Sequence, residues 1–207
     1  MKNRGSLVAA AVVLVGATVS AQQVVDTSKN LDNGERVLQQ SIIVNASSAD
    51  VWQLLTTADG LRKFAAPNIQ FELRAGALWA SSFDTKAKLD DSAIHNKVVS
   101  FVPGKMLSIQ VGFPAGIAEE IRRSTTVFAV TTIESLGPKR TRVVETMSGF
   151  GPGAGGETTL QMFKTCNQQT LEALRIAAQT GRSINWQGAN PYSGHQHDGV
   201  PAVTVSR

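Results

Sequence analysis

RVLQQSIIVNASSADVWQLLTTADGLRKFAAP, residues 36–67, changes its period midway, and that change decides the fold. The first ten residues are rich in β-branched side chains and set Leu38, Gln40, Ile42 and Val44 on one face, which predicts a strand over 36–45. Ser47 and Asp50 then have the spacing of a capping box, and Val51, Trp52, Leu54 and Leu55 supply the buried stripe of a helix. Thr57-Ala58-Asp59-Gly60 breaks that helix, and one or two further turns run from Leu61 to about Ala66. Pro67 ends them, because a proline disfavours helical backbone in the residue before it.

Beyond Pro67 the period becomes two and stays so for most of eighty residues, predicting strands at 69–74, 78–84, 95–102, 106–111, 125–135 and 141–148. Val102-Pro103-Gly104-Lys105 and Leu136-Gly137-Pro138-Lys139 are turn sequences, and connections this short imply antiparallel neighbours. Residues 149–156 form a glycine-rich loop, after which apolar residues recur at helical spacing over 158–180 until Gly181 stops them. One strand, two short helices, six strands and a long helix make an α+β domain, since the strands are consecutive rather than alternating with helices. A flat sheet does not cover such a helix, so a strongly twisted antiparallel sheet of about seven strands should curl around it and enclose space.

The flanks read differently. Lys2 and Arg4 precede an apolar run over 7–19, and Val19-Ser20-Ala21 offers small residues where a signal peptidase cuts, so residues 1–21 are expected to be a secretory signal peptide. Residues 22–35 form a polar lead-in, 36–181 the domain, and 182–207 a flexible polar tail carrying the isolated Trp186 and Tyr192. The chain of 207 residues is 42% apolar and 17% charged, a globular composition. Its net charge of +4 includes Lys2 and Arg4; without them 18 bases face 16 acids, which is no electrostatic footprint for nucleic acid or anionic lipid. No later apolar run has transmembrane length, and the expected location is the periplasm or the exterior. Cys166 is the single cysteine and lies on the apolar side of the long helix, where a buried thiol is the ordinary reading.

The segment from Ile43 to Pro67, IVNASSADVWQLLTTADGLRKFAAP, resembles the opening of START-like ligand-binding domains, the polyketide cyclase/dehydrase or Bet v 1-like superfamily, in the branch related to the activator of Hsp90 ATPase. The turn VPGKML at 102–107 and the ending NQQTLEALRIAAQTG at 167–181 are similar to the same branch. The resemblance covers about 37–181 and implies a helix-grip fold holding an apolar ligand, with activities in the superfamily ranging from carriers to cyclases and hydrolases. It departs from many relatives where they carry Trp and this chain has Phe64 and Asn167, which implies a wider or more polar pocket. A leader peptide also argues against the cytosolic cochaperone role that the branch name suggests.

Other motifs are weaker. Gly151-Pro152-Gly153-Ala154-Gly155-Gly156 matches a dinucleotide fingerprint, but no strand follows its helix to complete a βαβ unit. It is expected instead to be a mobile loop gating the cavity mouth. His195 and His197 with Asp198 give a loose metal-ligand spacing, more simply read as solvated tail, and no metal or cofactor is expected. Glu119-Glu120 with Arg122-Arg123, and Glu72 with Arg74, read as surface charge pairs. Phe64, Trp79, Phe83, Ile109, Phe128, Phe163, Asn167 and Leu171 are the expected ligand-binding residues. The function expected is an exported binding protein for a small hydrophobic or amphipathic molecule, lipid or polyketide-like. The alternative is a cofactor-independent hydrolase or cyclase acting in the same cavity, with His95 or Glu145 as acid/base.

Overall fold

The computed structural model describes residues 23–91, 93–113, 119, 125–185 and 204–205. Outside them lie the leader expected at 1–21, Glu120 with Arg122 and Arg123, and most of the tail, including Trp186, Tyr192, His195 and His197. The elements in chain order are β1 (Val25–Asp26), β2 (Lys29–Asn30), β3 (Arg36–Val44), α1 (Ser48–Thr56), α2 (Ala58–Phe64), β4 (Asn68–Gln70), β5 (Leu78–Ser82), β6 (Ile94–Val102), β7 (Met106–Gln110), β8 (Phe128–Gly137), β9 (Arg140–Ser148), α3 (Gly153–Thr180), β10 (Ile184–Asn185) and β11 (Thr204–Val205). The main sheet runs in the order β1-β3-β9-β8-β7-β6-β5-β4, with β2 also on β3, and every pairing in it is antiparallel. It is an open sheet wrapped around α3, the α+β helix grip that the periodicity implies.

The capping signals act as their chemistry requires. Ser47 Oγ accepts from the Asp50 amide at 3.1 Å and donates to Asp50 Oδ2 at 2.6 Å, so the box closes through the hydroxyl. The break after α1 is a single extended residue: Thr57 donates to the Gln53 carbonyl at 2.8 Å and accepts from the Gly60 amide at 3.0 Å, ending one helix and capping the next. Consequently α2 begins at Ala58, earlier than the sequence suggests.

Two segments differ more. The polar lead-in contains β1 and β2, both laid antiparallel on β3, with the Thr27 amide donating to the Gln39 carbonyl at 2.8 Å. The side chains of β1 and β2 are exposed, so those strands are held chiefly by backbone pairing, while Val24 just before β1 packs partly against the core. The long helix starts at Gly153, not Thr158, and takes up half of the loop expected to be a mobile gate. Gly156 is buried there, and a side chain would meet the Gly151 carbonyl oxygen at 2.2 Å, so a glycine is required for the approach. Thr158 and Thr159 donate to the Ala154 and Gly155 carbonyls at 3.0 and 2.8 Å, and Arg36 Nη1 holds the Gly151 carbonyl at 3.0 Å. At the other end Gly181 adopts φ +71° and returns its amide to Ala177, the expected stop.

Packing between sheet and helix falls into two clusters. One joins Ile42, Val44 and Val143 to Val51, Leu55 and Leu174, and Ile184 just past α3 is buried in it. The second gathers Leu38, Val127, Ala129, Met147, Phe150 and Phe163 toward the start of α3. Between them the packing opens.

Candidate functional site

The inward face of the sheet is set by register. Leu38, Gln40 and Ile42 on β3 stand opposite Met147, Glu145 and Val143 on β9, which in turn face Ala129, Thr131 and Ile133 on β8. One polar row, Gln40, Glu145 and Thr131, therefore crosses an apolar wall. The Thr131 hydroxyl and Glu145 Oε2 form a 2.5 Å hydrogen bond, and Gln40 Nε2 donates to the Lys164 carbonyl of α3 at 3.1 Å. Gln40 Oε1 and the Trp79 indole Nε1 are sealed from solvent without a hydrogen-bond partner.

Above this row, between sheet, α2 and α3, lies a cavity of two adjoining lobes. The smaller, about 90 Å³, is lined mainly by Leu55, Leu61, Phe64, Leu107, Leu171 and Leu174. The larger, about 140 Å³, is bordered by Phe83, Phe163 and Cys166 and by the polar Ser81, Asn96 and Gln169. Trp79, Ile109, Glu145, Asn167 and Thr170 border both, so Glu145 sits at the waist. Asn167 Nδ2 contacts the Met147 sulfur at 2.9 Å, a weak acceptor.

Glu145 is the chemically distinctive group. It retains some accessible surface, but that surface opens onto the cavity, and among the described residues no cation is paired with it. Burial pushes its carboxyl up to about 7, against the smaller opposing effect of the Thr131 hydrogen bond. Burial likewise pushes the Cys166 thiol up to about 12, so it stays protonated and unreactive as a nucleophile.

The sequence candidates separate cleanly by parity. Phe64, Trp79, Phe83, Ile109, Phe163, Asn167 and Leu171 all line one lobe or both. Phe128 does not: it pairs with Gln110 and Ser148 on the outer face of the sheet and is 40% exposed, one residue out of step with the inward Ala129. His95 is also outward, between the buried Ile94 and Asn96, in a surface groove with Lys97, Gln110 and Phe113. Only Glu145 of the two acid/base candidates reaches the cavity. Glu72 and Arg74 form the expected exposed ion pair at 3.0 Å. Among the described residues, no group of three or more His, Cys, Asp or Glu could hold a metal ion, and no helix is long and apolar enough to cross a membrane. Thr131 and Thr170 were not marked by the sequence reading, although Thr131 shares the inward parity of Ala129 and Ile133.

Residues 45–179 match the model of the family described as Activator of Hsp90 ATPase homolog 1-like protein. Among solved structures the chain is similar to the Aha1 dimer of Colwellia psychrerythraea, with 23% identity, TM-score 0.55, and 70% of this chain and 97% of that one covered. It is also similar to CalU16 of Micromonospora echinospora, with 14% identity and TM-score 0.58 over 89% and 87% of the two chains. A conserved protein of unknown function from Enterococcus faecalis aligns at 18% identity and TM-score 0.56 over 75% and 78%. No curated protein matches the sequence. At these identities the structural likenesses establish the fold alone.

Proposed function

The chain belongs to the Activator of Hsp90 ATPase homolog 1-like family, a branch of the START-like superfamily, and from that premise we propose that it is an exported binding protein holding a compact hydrophobic or amphipathic molecule between its sheet and α3. The observation that carries this reading is the two-lobed cavity, walled mostly by aliphatic and aromatic side chains with a few convergent polar groups. An apolar ligand there is favoured by roughly 25 cal/mol per Å² of buried apolar surface, before association costs. The lobes, about 90 and 140 Å³, match a molecule of one or two rings better than a full acyl lipid. Export is supported by Lys2, Arg4, the apolar run over 7–19 and Ala21.

A cofactor-independent hydrolase or cyclase in the same cavity is the second reading, and one observation favours it: a carboxyl that titrates near neutrality faces the enclosed space. The Cys166 thiol, held protonated, supplies no thiolate nucleophile, and the mostly apolar enclosure favours binding as the function. The test is protein purified from its native host, analysed by native mass spectrometry and solvent extraction. Binding predicts a co-purifying small molecule on a polypeptide beginning at Gln22. Apo protein alone, unaffected in melting temperature by small aromatic compounds, would sink the reading; retention of residues 1–21 on soluble protein would sink export.

A further inference from the structure

Among the described residues lining both lobes there is no lysine, arginine or histidine; the ionisable groups there are Glu145 and Cys166. An anionic ligand would find no counter-charge there and would face Glu145 instead. A cation would require Glu145 as a carboxylate, and a buried ion pair offsets its desolvation only when further hydrogen bonds surround it. Among the described residues one side chain, Thr131, donates to Glu145; Asn167, Thr170 and the unpartnered indole N–H of Trp79 border the same waist without bonding to the carboxyl, and the rest of the wall is mainly apolar. With no cation beside it among the described residues, the buried carboxyl is more readily accommodated as the neutral acid, a form that holds one strong O–H donor and accepts from Thr131 on its other oxygen.

Complementarity then specifies the ligand. Resting on the reading of the cavity as a ligand site, we infer that it takes a compact neutral molecule whose carbonyl-type oxygen accepts a hydrogen bond from the Glu145 carboxyl at the waist, while its apolar body fills the lobe lined by Leu61, Phe64, Leu107 and Leu171. Ser81, Asn96 and Gln169 in the other lobe leave room for a further polar substituent. Buried donors built into a site discriminate sharply, because a ligand lacking the acceptor leaves the donor unpaired.

Four probes of nearly equal size separate the possibilities: acetophenone, its methylene isostere α-methylstyrene, 1-phenylethylamine and benzoate. They are titrated into the full chain at about pH 6, with the indole N–H of Trp79, assigned through Trp79→Phe, as the NMR reporter of cavity occupancy. Acetophenone should bind about fivefold or more tighter than α-methylstyrene. Glu145→Leu should abolish that preference while α-methylstyrene still binds, and Glu145→Gln, which keeps an N–H donor, should retain part of it. Equal affinity for acetophenone and α-methylstyrene, or tightest binding of the amine or of benzoate, would overturn the inference while leaving an apolar binding cavity. Failure of all four probes to perturb Trp79 would overturn the cavity reading as well.

Discussion

Thr131 and Glu145 stand directly opposite each other on β8 and β9, and the Thr131 hydroxyl donates to Glu145 Oε2 inside the cavity. That hydrogen bond favours the ionised acid, whereas burial, the larger effect, favours the neutral one. Replacing Thr131 with Val preserves shape and removes the donor. The Glu145 midpoint should therefore rise further above its value of about 7. A carboxyl-detected NMR titration of the two proteins measures it, and an unchanged or lowered midpoint would show that the hydroxyl does not support the carboxylate.

The same carboxyl makes stability depend on pH. Its folded value of about 7 lies above the ordinary 4.5, so the native state holds the extra proton between those values and stability falls as pH rises through that window. Below about 4.5 the penalty is absent, and above about 7 it is complete, at up to about 3 kcal/mol. Glu145→Gln removes the titration, so its advantage over the native protein should be near zero at pH 4 and grow to that size at pH 8. Paired urea denaturation curves across the range decide the matter; a constant difference between the two proteins would mean that Glu145 ionises freely.

Which parts of this were legible in the sequence follows from where a period persists. Strands such as β3 and β9 are long enough for Leu38, Gln40 and Ile42, or Val143, Glu145 and Met147, to declare a face, and that parity already places Glu145 inward. Phe128 lies outside the cavity: its aromatic character suggests the interior, but its parity with the exposed Glu134 places it on the outer face. Two-residue strands carry no period at all. β1 and β2 are recruited by the free edge of β3 through backbone hydrogen bonds, an interaction that side-chain identity barely records. The start of α3 is hidden for the opposite reason: glycines are poor helix formers, yet Gly153 is needed for its φ of +71° and Gly156 for its close approach to the backbone of the preceding loop. Cavity volume is a residual of packing, so no single position announces it.

The lead-in is tied down by charge as well as by backbone. Asp26 Oδ2 meets Lys164 Nζ of α3 at 3.0 Å, and Oδ1 accepts from the Ser28 amide at 2.9 Å. Burial alone would raise the Asp26 carboxyl, but the hydrogen bonds from Ser28 and Lys164 and the charge of Lys164 outweigh it and bring the value down to about 2. Because the folded value lies below the ordinary 3.8, the stabilisation is present above that pH and disappears as pH falls toward 2. Solvent screens this pair, so Asp26→Asn should cost only about 1 kcal/mol at pH 6 and nothing measurable at pH 2. Amide exchange of Thr27, which bonds to β3, should quicken in the variant at pH 6. Unaltered Thr27 protection would show that backbone pairing alone holds the strap.

Gly156 gives the sharpest sign test of the helix start. Inside an exposed helix, Gly→Ala gains up to about 1 kcal/mol, since alanine loses less backbone entropy on folding. At Gly156 the added Cβ would lie 2.2 Å from the Gly151 carbonyl oxygen and 2.6 Å from that of Phe150, both backbone atoms. They cannot swing aside as a flexible side chain would. Arg36 anchors the Gly151 carbonyl, and Phe150 is buried against Phe163 in the second core cluster, with ring centroids 6.2 Å apart. The first turn of α3 must therefore shift, and Gly156→Ala should destabilise the fold by about 1–3 kcal/mol despite its better helix propensity. The displaced turn should also alter the larger lobe through Phe163, weakening any ligand bound there. Urea denaturation of the full chain gives the sign directly: a variant as stable as the native protein, or more so, would mean that residues 153–156 do not pack as a helical turn against the preceding loop.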